Sequence, residues 1–101
     1  MVTCFIEYVI DVNKIKEFEH YGKLWFSLVN ELGGQHLGYF LPSEGANNIA
    51  LALFTFPSLA DYEQYRNESF KNVECIAAFD YAAQTQCIKS YKRSFFRPLL
   101  Q

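Results

Sequence analysis

The side chains able to do chemistry in this 101-residue chain are few and scattered. His36 stands just after Gly33-Gly34. An imidazole there could act as a base, a proton donor or an axial haem ligand. A lone histidine hydrogen-bonded at a strand end is the plainer account. No second feature points to a porphyrin pocket, and no cofactor is expected. His20 falls on the polar side of its helix and reads as solvated. Glu7 sits in the middle of an otherwise apolar segment, Val2–Ile10. A carboxyl buried there would have a raised pKa unless paired. Lys89 and Arg93 alternate with Tyr91 near the far end of the chain and could supply the partner charge. A structural Glu7–Arg93 pair is the expectation. Tyr8, Tyr39 and Tyr91 could hydrogen-bond a phenolic or quinone-like molecule, although tyrosines on sheets are usually packing residues. The catalytic candidates are therefore His36, Tyr39 and Glu7. Tyr8, Trp25, Tyr91 and Arg93 are the ligand-binding candidates.

Several classes of chemistry lack their signatures. There is no G-x-G-x-x-G, P-loop or G-x-S-x-G run. Cys4, Cys75 and Cys87 form no C-x-x-C pair, and with two separated histidines they give no zinc spacing, so no metal is expected. Reduced, buried thiols in a cytoplasmic protein are the simplest reading. The opening Met1-Val2-Thr3-Cys4-Phe5 has no basic region of the signal-peptide kind. No apolar run approaches the roughly 20 residues that cross a bilayer, so no membrane insertion is expected. Net charge is -2, which argues against nucleic acid as partner. The basic end, Lys89, Lys92, Arg93 and Arg97 with no acid after residue 84, reads as a solvated strand edge. Asn67-Glu68-Ser69 matches a glycosylation sequon and is taken as chance without a secretion signal.

The elements that must position these residues are well punctuated. Val2–Ile10 is rich in β-branched and aromatic residues and predicts a strand. Asp11 or Asn13 can cap a helix running to about Leu32. Its apolar stripe is Ile15, Phe18, Gly22, Trp25, Leu28, Val29 and Leu32. Gly22 within that stripe should cost about 1 kcal/mol against alanine. A close approach of helix to sheet is the expected compensation. Gly33-Gly34 ends the helix. A strand over about 35–41 follows, then a Pro/Gly/Asn turn, then a strand over 49–56 that is apolar on both faces. Ser58, with Asp61 three residues on, caps a helix to about Glu68. A further helical piece covers about 72–84, and a last strand about 87–97, stopped by Pro98.

The order β-α-β-β-α-β predicts one α+β domain over residues 1–101, with the ferredoxin-like split βαβ arrangement. Its four-stranded antiparallel sheet has the order 4-1-3-2, with both helices on one face. Strands one and three are then central, and they are the two with apolar residues on both faces. His36, Lys89 and Lys92 fall on the edge strands. The uncovered face would be a larger apolar patch than monomers usually leave in water. A second copy, sheet against sheet by two-fold symmetry, is the economical cover.

Asp11–Trp25 (D-x-x-K-x-x-E-F-E-x-Y-x-x-L-W), Leu32-Gly33-Gly34 and Leu37-Gly38-Tyr39-Phe40-Leu41-Pro42-Ser43-Glu44-Gly45 resemble the NIPSNAP family. So do Phe54-Thr55-Phe56-Pro57-Ser58-Leu59, Tyr62-Glu63-Gln64-Tyr65-Arg66 and Arg93-Ser94-Phe95-Phe96-Arg97-Pro98. The resemblance spans nearly the whole chain and implies a dimeric α/β barrel, two ferredoxin-like halves joined through their sheets. It implies less about chemistry. Relatives in that superfamily include cofactor-free monooxygenases, haem-degrading enzymes, lactone isomerases and ligand domains of transcription factors, and fold alone does not choose among them. The leading expectation is a homodimer that binds a small apolar or aromatic molecule, with no assigned reaction. The alternatives are a cofactor-independent monooxygenase or isomerase using His36 with Tyr39 or Glu7, and a protein-interaction module.

Overall fold

A computed structural model describes residues 1–100. Strand β1 (Val2–Ile10) leads into helix α1 (Ile15–Glu31), then strands β2 (Gln35–Phe40) and β3 (Ile49–Phe56). Helices α2 (Leu59–Ser69) and α3 (Val73–Thr85) precede the last strand, β4 (Ile88–Phe96). All pairings are antiparallel, and the sheet order is β2-β3-β1-β4. This is the expected 4-1-3-2 order read from the other edge. The second crossover is two helices, α2 and α3, matching the two helical pieces read from the sequence.

The local chemistry explains where these elements begin. Ser58 caps α2: its Oγ accepts from the Asp61 amide at 3.1 Å and donates to the Asp61 carboxylate at 2.7 Å. Asn72 caps α3, its Oδ1 accepting from the amides of Glu74 and Cys75. This second cap breaks the crossover into two helices. The expected cap of α1 does not form. Asp11 instead accepts from the Asn13 amide within the preceding turn, and Lys14 stands at the cap position with no side-chain bond to the helix. Lys14 Nζ donates to the Thr85 carbonyl at 3.1 Å, so a cation meets the negative end of α3.

Strand alternation divides the sheet. Cys4, Ile6, Tyr8 and Ile10 of β1, with Ala50, Ala52, Phe54 and Phe56 of β3, are buried beneath the helices. Phe18, Trp25, Leu28 and Val29 of α1 descend onto them. The other face carries Phe5, Glu7 and Val9 with Leu51 and Leu53, all partly exposed in the single chain.

Gly22 meets the sheet as its place in the stripe predicts. A Cβ built on it would lie 3.1 Å from the Tyr39 ring, so the missing side chain is the seat of that ring. β2 bulges between His36 and Gly38, where Gly38 adopts a φ of 127° open in practice only to glycine. The bulge changes the parity of the strand. His36 pairs with Phe54 and Tyr39 with Ala52, so two residues three apart both face the helices.

Candidate functional site

The helical layer does not fill the space over β1 and β4. A cavity of about 280 Å³ lies there. Its floor is Ile6 and Tyr8 of β1 with Ile88, Tyr91 and Arg93 of β4. Tyr21, Trp25 and Val29 of α1 form one wall, Tyr62, Tyr65 and Arg66 of α2 another, and Phe79, Ala82 and Ala83 of α3 a third. Tyr39 and Phe54 close the far end. Tyr91 is 53% exposed, which puts the mouth at the β4 edge of the sheet.

The lining is largely aromatic. The Trp25 ring centre lies 5.0 Å from that of Phe79, and Tyr91 tilts 6.3 Å from Tyr8. Tyr62 meets Phe95 edge to face at 4.7 Å. The Arg93 guanidinium sits 5.2 Å over the Tyr91 ring, while Arg66 lies over the rings of Phe70 and Phe79. Burial drives the tyrosine hydroxyls upward: Tyr21 reaches about 12, and Tyr8, Tyr39 and Tyr65 are likewise raised well above the ordinary phenol value. These phenols are hydrogen-bond donors at neutral pH and cannot take up a proton. Three buried side-chain nitrogens have no partner: Trp25 Nε1 and Arg93 Nε on residues that line the cavity, and His36 Nε2 outside it.

The structure gathers five of the sequence candidates at this cavity: Tyr8, Trp25, Tyr39, Tyr91 and Arg93. His36 and Glu7 stand elsewhere. His36 lies on the edge strand β2 and is hydrogen-bonded there, as expected, and it is only 5% exposed, because the bulge turns it beneath α1. It stacks on Tyr39 at 4.9 Å and contacts Phe26 and Phe54. Its Nδ1 accepts from the Gly38 amide at 2.9 Å, which assigns the proton to Nε2 and leaves the ring neutral. Burial lowers its pKa to about 4. The ring is thus committed to packing and to holding the bulge, and it does not line the cavity.

The Glu7–Arg93 pair does not form. In the β1–β4 register Glu7 lies opposite Lys92, while Arg93 lies opposite Ile6. The two side chains project from opposite faces of the sheet. Alternation gave the parity of each strand, but only the register relates one to the other. Among the described residues, no three His, Cys, Asp or Glu side chains gather as metal ligands.

Tyr21, Tyr62, Tyr65, Arg66 and Phe79 were not anticipated in the site. Tyr21 was within reach, since it lies three residues after Phe18 and four before Trp25 on one helix face. Nothing in the sequence gives the lie of α2 and α3 across the sheet, so the other four had no signal.

Fold and cavity together define a ferredoxin-like α+β domain whose helices roof an aromatic chamber. The NIPSNAP family model matches residues 3–100, and the chain belongs to that family. Protein Atu4242 of Agrobacterium tumefaciens is similar in structure, with a TM-score of 0.86 and 16% identity over 99% of this chain and 95% of that one. An uncharacterized NIPSNAP domain protein of Burkholderia xenovorans gives 0.82 and 12%, covering 99% and 96%. A putative antibiotic biosynthesis monooxygenase of Nitrosomonas europaea gives 0.75 and 11%, covering 98% and 99%. Such identities carry the fold alone. No curated protein matches the chain.

Proposed function

We propose that this NIPSNAP domain works in the cytoplasm as a homodimeric binding protein for a small apolar or aromatic molecule. The observation that supports it is the closed-face cavity, walled by aromatic rings and provided with unpartnered donors. At about 280 Å³ it is just below the usual range for ligand pockets, roughly 300–1,000 Å³, so a one- or two-ring ligand fits best. A carboxylate or imidazole facing the chamber would favour catalysis instead. The described lining has neither, and its phenols cannot act as bases, so binding leads over a monooxygenase or isomerase activity.

Dimerisation is proposed through the uncovered sheet face. Phe5, Val9, Ile49, Leu51 and Leu53 form an aliphatic and aromatic surface there, bordered by exposed Phe40 and Phe96. Pairing two such faces would bury on the order of 2,000 Å². A protein-interaction role is the second reading. It is favoured by Leu59, Phe70, Val73 and Ile76, which are exposed on the helical side where sheet pairing would not cover them.

Trp25 is the single tryptophan of the chain and lines the cavity, so its fluorescence is a local reporter. Titration with 2-naphthol or 2-naphthamide is expected to quench it saturably, with Kd of about 10–100 µM (roughly 5.5–7 kcal/mol). No saturable change at millimolar ligand, with no rise in the melting temperature, would remove the binding reading.

A further inference from the structure

We propose that the molecule held in this cavity is an anion, an aromatic or short apolar carboxylate whose charged end meets Arg93 near the β4 mouth. This rests on the binding role above and adds the chemical class of the ligand.

The polar side chains lining the chamber bring donors and positive charge, and none brings a carboxylate. The phenols are held protonated by burial, Trp25 offers an N–H, and the guanidiniums of Arg66 and Arg93 carry fixed positive charge. Among the described residues no Asp or Glu lines the cavity. Among the described residues the one ion pair is Lys89 with Asp11, so neither arginine has a carboxylate within 4.0 Å. A ligand bringing acceptors and negative charge complements such a site. One bringing a cation does not.

The two arginines are not equivalent. Arg66 lies over both Phe70 and Phe79, 4.9 and 5.9 Å from their ring centres, and so already has a place in the helical layer. Arg93 has only the Tyr91 ring, at 5.2 Å, and its Nε is buried with no acceptor. An unsatisfied buried donor is costly, more so on a charged group. Its neighbours relieve it weakly. Across the sheet Arg93 faces Ile6, and Cys4, the side chain within hydrogen-bonding reach of the guanidinium, stays a neutral thiol and a weak acceptor because burial pushes its pKa up to about 11. A guanidinium also matches a carboxylate in shape, since its planar fork gives two parallel bonds. Trp25, whose Nε1 is likewise without an acceptor, stands on the α1 wall of the same chamber.

The test compares 2-naphthoate with 2-naphthamide, two ligands with the same ring system that differ in charge. Both are titrated into the full chain while Trp25 fluorescence is followed, with calorimetry as a check. Naphthoate is expected to bind at least tenfold more tightly. Arg93→Met should abolish that preference, and Arg93→Lys should keep part of it. Lys89→Met removes a positive charge from the same strand outside the cavity and should keep the preference in full. If Arg93→Met does not fold, the wild-type ratio and the lysine variant carry the test. Equal affinities, or a preference for the amide, would overturn the anion proposal and leave the binding role standing. A preference that survives Arg93→Met, or disappears in Lys89→Met, would overturn the assignment to Arg93. If neither compound binds, the binding role itself falls.

Discussion

Strand β1 sends Tyr8 under the helices and its neighbours Glu7 and Val9 to the uncovered side, and the two faces of the sheet diverge from there. The covered face is built from rings and phenols around an incompletely filled chamber. The uncovered face is mostly aliphatic, with Glu7 of the central strand β1 between Leu51 of β3 and Lys92 of the edge strand β4. Large rings bridge a wide gap between layers yet pack imperfectly, which leaves room for a ligand. Compact aliphatic side chains make a surface suited to a second sheet at about 10 Å. One face is shaped to enclose a small molecule and the other to meet a flat partner.

Changes on each face should break this contrast in different ways. Leu53→Asp on the uncovered face should have the largest effect. Two-fold symmetry places the new charge in the interface twice, at about 3–5 kcal/mol each when unpaired. Light scattering should register a fall from two chains to one, with the isolated domain still folded. A mass already near 11.8 kDa for the wild type, with cooperative unfolding, would refute the dimer.

Phe18→Ala acts on the covered face, where Phe18 is fully buried against Tyr8 and Tyr39. Urea unfolding should give a loss of about 3–5 kcal/mol.

His36 sharpens the contrast through pH. Its pKa is about 4 in the folded chain against 6.5 ordinarily, so the unfolded chain binds more protons between those values. The associated stability is complete above pH 6.5 and is lost as pH falls toward 4, about 3 kcal/mol in all. The difference in urea midpoint between wild type and His36→Phe should change across that window. A constant difference would mean that the imidazole is accessible to protons in the native state.

Glu7→Gln should have the smallest effect. Arg93 lies on the other face, so unfolding should cost less than about 1 kcal/mol. A double-mutant cycle with Arg93→Met should give coupling near zero. Coupling of several kcal/mol would require the two groups to meet after all.

The element order, the edge and central strands, the Ser58 cap and the role of Gly22 were legible in the sequence because each is set by neighbours along the chain. Apolar residues on both faces mark a central strand, and a glycine in a helical stripe marks a close approach. Tyr8, Trp25, Tyr39, Tyr91 and Arg93 were legible as candidates by residue type, but not as members of one chamber. That grouping depends on the β1–β4 register, which sets Arg93 beside Ile6 and Glu7 beside Lys92. It depends as well on a single bulged residue in β2 that turns His36 away from solvent and onto Tyr39. A shift of one residue reverses the face of every side chain beyond it, and no periodicity within a strand records that shift. Local patterning therefore determined which elements form and in what order they pair. Which side chains share a cavity was decided by register, bulge and the seating of three helices, interactions between segments far apart in the chain.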